Sequence, residues 1–175
     1  VIYLATLFAD RELGFKDSEL ILTILLLQLV AIPGALFFAR VSKKKGNKYA
    51  LLVQLVIWVI ICVGAYATTA KWQFFTIAGL VGIVLGGIQS LSRSTYAKLL
   101  EGRKEDPTTF FSFMDVLSKV AIVSGTFIFG LVNTITGSMR YSVLVLALFF
   151  VIGFVLLTTV ASFRINTTAE SVVQE

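Results

Sequence analysis

Five long apolar runs separated by short polar breaks constrain the fold of this chain more than any other feature. Each run holds 18 to 23 residues, and together they cover Leu20–Phe38, Tyr49–Thr68, Phe74–Leu91, Phe110–Val132 and Tyr141–Phe163. A helix of about 17–25 residues crosses the hydrocarbon core of a bilayer, which is roughly 30 Å thick. The runs therefore predict five membrane-spanning helices.

Composition excludes a soluble domain. Hydrophobic residues make up 57% of the chain and charged residues 14%, against roughly 45–50% and about 25% in soluble domains. The chain has no histidine and a single cysteine, Cys62, so a histidine-based triad, a histidine metal site and an intrachain disulfide are excluded. No nucleotide-binding loop or nucleophile with its base is present. We therefore predict no enzyme activity, no catalytic residue, no metal, no cofactor and no nucleic-acid partner.

The breaks between the runs contain helix-terminating residues. Asp17 and Ser18 are predicted to cap the first span, and Asp106 the fourth; Pro33 is expected to kink the first span. Gly137-Ser138 predicts a tight turn. The segment Ser94–Glu105 fits either a short surface helix or a plain loop. Residues 1–9 are too short to span, and we expect them to be the end of a helix that begins upstream; the polar tail 165–175 is predicted to be disordered.

Lysine and arginine are distributed unequally between the two sides of the predicted bundle. Ten lie in segments on the side of the KKKGNK sequence and four on the side where residues 1–9 end, with Lys119 inside a span. Positively charged segments stay in the cytoplasm during insertion. The KKKGNK side and the C-terminus are therefore predicted to be cytoplasmic.

Polar residues are concentrated in the third and fourth spans, whereas the second and fifth contain no charged residue. Ionisable residues inside a membrane face a bundle interior or a wet cavity. The third and fourth spans are therefore predicted to line a cavity, with the first as a weaker candidate. The candidate substrate or gating residues are Gln28, Gln89, Ser90, Arg93, Asp115 and Lys119.

Asp115 and Lys119 are four residues apart and share one helix face. They could form a neutral pair, with Lys119 extending to water, or take part in gating and substrate binding. Our hypothesis is that Arg93 and Asp115 form a cytoplasmic latch, which leaves Lys119 to meet an anionic substrate group. Arg93 could instead anchor a lipid phosphate.

Small residues recur at three- and four-residue spacings in the third span, which predicts close helix packing. The fourth span offers Ala121 and Gly125 as a matching surface. The predicted packing glycines are Gly79, Gly82, Gly86, Gly87 and Gly125.

Three stretches carry a resemblance to a known family: GGIQSLSRSTYAKLL (86–100), FFSFMDVLSKVA (110–121) and FGLVNTITGSMRYSVL (129–144). They are similar to the C-terminal half of major facilitator superfamily transporters, within the branch of the autophagy-related vacuolar amino-acid effluxers and their bacterial relatives. The resemblance implies an all-α, six-helix half-bundle. Residues 1–9 would then be the end of helix 7, the five spans helices 8–12, and residues 1–164 the C-terminal transmembrane domain.

The superfamily carries a cytoplasmic Gly-x-x-x-Asp-Arg-x-Gly-x-Lys loop motif between helices 8 and 9. The corresponding segment here is 39–48, in which Lys43 occupies the position of the acid. The residues assigned to this loop motif are Arg40, Lys44, Gly46 and Lys48.

The resemblance implies a secondary transporter of small solutes, such as neutral amino acids or related metabolites, that works by alternating access with an N-terminal half. Proton coupling is a hypothesis that rests on Asp115 as the acid within a span. We expect an integral protein of a bacterial inner membrane. A non-transporting membrane scaffold or receptor subunit is the alternative.

Overall fold

The computed structural model describes residues 2–100 and 107–159, and these two ranges form six α-helices joined by short connections. They are α1 (Ile2–Leu13), α2 (Asp17–Lys45), α3 (Asn47–Ala67), α4 (Lys71–Leu100), α5 (Pro107–Thr136) and α6 (Met139–Thr159). Helices α2 to α6 are long and apolar enough to cross a membrane. The predicted all-α membrane fold is confirmed.

All five spanning helices extend beyond the apolar runs that predicted them, by two residues or more at one end at least. Helix α2 continues past Phe38 to Lys45, and α4 continues past Leu91 to Leu100. Hydropathy marks the part of a helix that matches the hydrocarbon core, whereas backbone hydrogen bonding continues into the polar residues beyond it. The prediction of a separate surface helix or loop over Ser94–Glu105 was therefore wrong for residues 94–100, which are the last turns of α4, and its remainder, 101–105, lies outside the described residues. Asp106, Phe163 and the tail 165–175 lie outside the described residues.

The connection between α2 and α3 is a single residue, Gly46. The predicted loop motif is therefore not a loop: Arg40 and Lys44 belong to α2, and Lys48 belongs to the first turn of α3. Gly46 has φ +90°, which a residue with a side chain rarely adopts, and its N–H donates to Ser42 O at 2.8 Å. Lysines in the last turn of α2 are favourable because they face the negative end of the helix dipole. We call this corner, with Arg40, Lys43, Lys44, Lys45 and Lys48, the basic elbow.

The start of α2 is capped by Glu19 and not, as predicted, by Asp17 or Ser18. The Glu19 carboxylate accepts the Lys16 backbone N–H at 2.8 Å, which satisfies a donor just before the first turn. Asp17 and Ser18 are exposed residues of that turn. The predicted turn at Gly137-Ser138 is present, with Gly137 at φ +69° between α5 and α6.

The helices differ in how much of their surface is buried. The most extensive contact joins α2 to α4, and the next joins α3 to α6. Helix α4 also packs on α3, whereas α5 packs mainly against α6 and leaves most of its surface exposed. The described chain is thus a closely packed unit of α2, α3, α4 and α6, with α5 along one edge.

Charges divide the bundle into two unlike ends. At the paired end, where α1 and α3 finish, four acidic residues meet four basic ones: Asp10, Glu12, Asp17, Glu19, Arg11, Lys16, Lys71 and Arg140. At the opposite, basic end, the described residues hold seven cations and one acid: Arg40, Lys43, Lys44, Lys45, Lys48, Arg93, Lys98 and Asp115. Contacts of Asn47 with Thr95 and of Lys48 with Thr158 place α3, α4 and α6 together at the basic end.

Candidate functional site

An ion pair between α4 and α5 is the centre of the candidate site. Arg93 Nη2 lies 3.9 Å from Asp115 Oδ1, and the two side chains are 73% and 59% exposed. The pair is long and solvent-accessible, and exposed pairs of this kind contribute about 0–1 kcal/mol. It therefore joins the two helices weakly. The structure brings these two predicted residues together, at the basic end of the bundle.

Two aromatic residues that the sequence reasoning missed fasten the helices beside this pair. The Tyr96 hydroxyl donates to Phe110 O at 3.0 Å, and its ring meets the Phe111 ring edge-on with centroids 5.6 Å apart. Tyr96 lies three residues after Arg93, and Phe111 lies four before Asp115, so each shares a helix face with a member of the ion pair. That spacing was visible in the sequence and could have identified them.

Lys119 lies one turn beyond Asp115 on α5 and is exposed. Among the described ion pairs, Asp115 is joined to Arg93 and not to Lys119. The alternative of a neutral Asp115–Lys119 pair is therefore not the arrangement in this conformation. The positively charged side chain of Lys119 lies on the exposed surface of α5.

The remaining polar candidates are exposed but are not joined to the ion pair. Gln28 lies on α2, and Gln89 and Ser90 lie on α4, one turn before Arg93. No hydrogen bond among the described residues connects their side chains to Arg93 or Asp115. Gln89 and Ser90 are thus within one helical turn of Arg93 on α4, whereas Gln28 lies on a different helix.

Glycines bring α4 against the backbone of α2. A Cβ atom built on Gly82 would lie 2.7 Å from Leu27 O, and one built on Gly86 would overlap the backbone of Ala31. Glycine is required at these positions because the neighbouring atoms of α2 belong to the main chain, which cannot change rotamer to make room for a side chain. On the α2 side, Gly34 meets the backbone of Ile83 in the same way.

Two of the predicted packing glycines are not at contacts. A Cβ atom on Gly79 or on Gly125 would have no heavy-atom neighbour within 4 Å among the described residues. The expected pairing of α4 with the small residues of α5 was therefore wrong, and Gly34 of α2 takes that role. Small residues at matching spacing occur on several helices, and the spacing alone does not select the partner.

A buried amide on α3 was missed because that span was classed as apolar. Gln54 is fully buried, and neither its Nε2 nor its Oε1 atom has a hydrogen-bond partner within the part of the chain that the structure describes. It packs against α4, where a Cβ atom on Gly87 would lie 2.7 Å from Gln54 Nε2. A glutamine inside an otherwise apolar run was the signal available in the sequence.

An apolar cavity of about 80 Å³ lies between the helices, toward the paired end. It is lined by no charged side chain, and its lining residues include Leu27, Trp58, Cys62, Phe74, Val81 and Phe129. Such a space suits a small apolar group and does not offer a partner to a polar solute. The cavity and the charged face of α4 and α5 are therefore separate features.

Two ion pairs connect the helices at the paired end. Arg140 Nε lies 3.2 Å from the Glu12 carboxylate, which also accepts the Met139 backbone N–H at 2.9 Å. Arg140 additionally donates to Tyr66 O at 3.0 Å. These contacts join the end of α1 to the start of α6 and the end of α3. The sequence reasoning counted these charges only for orientation.

The second pair joins the start of α2 to the start of α4. Lys71 Nζ lies 2.6 Å from the Glu19 carboxylate and 5.0 Å from the centre of the Phe15 ring. Glu19 thus acts both as a helix cap and as an interhelical ion-pair partner. Elsewhere in the two described ranges, no group of three or more Cys, Asp or Glu residues is placed to hold a metal ion.

Comparison with known proteins gives the family. Residues 1–170 match the family model described as "Vacuole effluxer Atg22 like". The chain is 33% identical over 160 residues to the uncharacterized MFS-type transporter YxiO of Bacillus subtilis, an alignment that covers 91% of the chain and 37% of that protein.

Fungal relatives are similar at a comparable level. Autophagy-related protein 22 of Vanderwaltozyma polyspora is 30% identical over 152 residues, covering 79% of the chain and 28% of that protein. Its counterpart in Cryptococcus neoformans var. neoformans serotype D (strain B-3501A) is 30% identical over 175 residues, covering 91% and 32%.

The chain thus spans about a third of the length of these relatives. No solved structure is a significant match. The helical membrane fold and the family match over nearly the whole chain agree with the resemblance seen in its motifs. The chain belongs to the Atg22-like branch of the major facilitator superfamily of transporters, a branch that includes bacterial proteins.

Proposed function

We propose that the chain is the C-terminal half of a secondary transporter that moves small solutes by alternating access. The proposed substrate class is neutral amino acids or related metabolites. The observation that carries the proposal is the open charged face of α4 and α5. Arg93, Asp115 and Lys119 are exposed there, on two of the helices that are apolar enough to cross a membrane. Charged groups at membrane depth need water or a protein partner. An aqueous pathway shared with a second, N-terminal half supplies both.

The weakness of the Arg93–Asp115 pair fits a gate. A contact that must break and re-form in every cycle cannot be worth many kcal/mol, and an exposed pair contributes about 0–1 kcal/mol. At 3.9 Å, the two groups are close enough to attract and are accessible to a solute or a proton. We assign this pair to closure of the pathway at the basic end.

Lys119 is the residue that we assign to the solute. By helix rise, it lies about 13 Å beyond Phe110 along α5, which approaches the bilayer midplane. Its charge is not paired with a described carboxylate and is complementary to a substrate carboxylate. Gln28, Gln89 and Ser90 would supply hydrogen bonds to uncharged groups. Asp115 is the proposed proton carrier, since it is the acid within the five apolar runs.

The charge distribution supports an orientation. The basic end has an excess of cations, whereas the paired end is balanced, and cationic segments stay in the cytoplasm. We therefore propose that the basic elbow and the C-terminus are cytoplasmic. The 33% identity to a Bacillus subtilis protein, against 30% to the two fungal relatives, supports a bacterial inner membrane over a vacuole.

Counterflow in proteoliposomes tests the transport proposal. Vesicles containing the full-length protein are loaded with an unlabelled neutral amino-acid mixture, and uptake of labelled amino acids is followed with and without an imposed pH gradient. We expect exchange of label in both conditions, and sustained accumulation against a concentration gradient only when the pH gradient is imposed. Absence of exchange, in protein that is shown to be folded, would favour the scaffold or receptor alternative.

Variants then separate the residue roles. Asp115→Asn should retain exchange and lose gradient-driven accumulation, whereas Asp17→Asn, an exposed acid at the paired end, should behave as wild type. Lys119→Ala should raise the KM for solutes with a carboxylate, and Lys119→Arg should restore part of the affinity. If Lys119→Ala transports like wild type, the proposed substrate contact is wrong.

A further inference from the structure

Four cations of the basic elbow, Arg40, Lys43, Lys44 and Lys45, form no ion pair with an acid among the described residues. Arg40, Lys43, Lys44 and Lys45 are exposed, and Lys48 is half-buried with its Nζ donating to Thr158 O at 3.1 Å. The four acids of the paired end lie at the far end of the bundle, and Asp115 is engaged with Arg93. The paired end is balanced, whereas the elbow concentrates positive charge, and this charge favours the binding of an anionic partner.

The elbow is held in a fixed shape. Asn47 Nδ2 donates to Thr95 Oγ1 at 2.9 Å, and the buried Ser42 hydroxyl contacts Asn47 Oδ1. Lys45 Nζ lies 4.8 Å from the centre of the Tyr49 ring. The cations therefore stand on two helix ends joined by one residue, not on a flexible loop. The backbone of the elbow is thus already ordered, and the conformational cost of binding an anion is confined to the lysine and arginine side chains.

The elbow lies at the outer edge of the lipid headgroup layer. The apolar run of α2 ends at Phe38, so by helix rise Lys43 and Lys45 lie about 8 Å and 10 Å beyond it. The headgroup layer extends roughly 5–8 Å outside each face of the hydrocarbon core, so the backbone of Lys43 lies at its limit and that of Lys45 just beyond it. Tyr49, which begins the next apolar run and is 44% exposed, marks the same boundary from α3. Lysine side chains at this level reach the phosphate plane.

We propose that the basic elbow is a binding site for the phosphate groups of anionic phospholipids. Its occupants are lipids of the leaflet in which the elbow lies, held by Lys43 and Lys44 with Arg40 beside them, while Lys45 is positioned by Tyr49. Stabilisation of the α2 terminus accounts for only part of this charge, because a helix end carries the equivalent of about half an elementary charge. The proposal does not depend on the solute that the protein transports.

Native mass spectrometry of the purified full-length protein with added phosphatidylglycerol or phosphatidylcholine tests this proposal. Removing two cations, with K43Q/K44Q, should weaken phosphatidylglycerol binding by about 25-fold, since each lysine near an anionic surface contributes a factor of about five. Phosphatidylcholine binding should not change. The matched control R11Q/K16Q removes two exposed cations at the paired end and should retain wild-type binding, and K43R/K44R should do the same.

Three results would overturn the proposal. Equal phosphatidylglycerol affinity in K43Q/K44Q and wild type would show that the elbow is not the site. An equal loss in R11Q/K16Q would show a general effect of net charge. Displacement of the lipid by millimolar inorganic phosphate would identify a free anion, not a lipid headgroup, as the ligand. A melting temperature of K43Q/K44Q equal to that of wild type in lipid-free detergent excludes misfolding as the cause of weaker binding.

Discussion

Replacing Gly86 by alanine should disrupt the main contact of the bundle. A Cβ atom there would lie 2.8 Å and 2.9 Å from the backbone C and Cα of Ala31. Because these atoms are main chain, α2 and α4 have to move apart, and overpacking of this kind costs about 1–3 kcal/mol. The better helix propensity of alanine returns about 1 kcal/mol. With a rigid neighbour, which places the cost near the top of the range, we expect a net loss of about 2 kcal/mol.

The measurement is the free energy of unfolding in a detergent titration, followed by tryptophan fluorescence. Trp58 reports on the interior because it is buried and stacks on Phe150 with ring centroids 5.0 Å apart. Gly79→Ala, on the same helix but facing open space, should instead stabilise the protein by up to about 1 kcal/mol. Gly64→Ala, which meets only the end of the Ile77 side chain at 3.6 Å, should be tolerated. If Gly86→Ala is as stable as Gly79→Ala, the α2–α4 contact is not as close as described.

Two further predictions concern buried or half-buried polar groups. Glu12→Gln should lower the free energy of unfolding by about 1–2 kcal/mol, because it removes a charge-assisted contact with Arg140; a double-mutant cycle with Arg140→Gln should show the effects to be non-additive, and simple additivity would refute the pairing. Gln54→Met keeps the volume but removes an amide without partners, so it should stabilise the protein by about 1 kcal/mol. A loss of stability in Gln54→Met would mean that the amide is hydrogen-bonded in the folded protein.

The helices could be predicted because a membrane-spanning helix needs an apolar run long enough to cross the bilayer, and such a run is visible in the sequence. Each apolar run had to cross about 30 Å, and every one of the five is matched by a helix. Where the helices end could not be predicted in the same way. Lys43 to Lys45 looked like a loop by polarity, but they complete the last turn of α2, since helical hydrogen bonding does not require apolar side chains.

Side-chain partners were predicted only where sequence spacing limited the choices. Arg93 and Asp115 are on consecutive spans that are adjacent at one end, so their proximity followed from the chain order. The partner of Gly86 did not, because several helices offered small residues. Gln54 was overlooked for a related reason: the mean hydropathy of α3 is high, and a single amide hardly changes it.

The sparse packing of α5 has a consequence for biosynthesis. A ribosome delivers helices in chain order, so α2, α3 and α4 are in the membrane before α5 is complete, and the α2–α4 contact needs no atom of α5 to form. Helix α5 packs mainly on α6, which follows it in the chain. The nascent chain therefore passes through a stage at which α5, the described span of lowest mean hydropathy, lacks its main partner among the described helices, and we expect membrane insertion factors and proteases to encounter the protein at that stage.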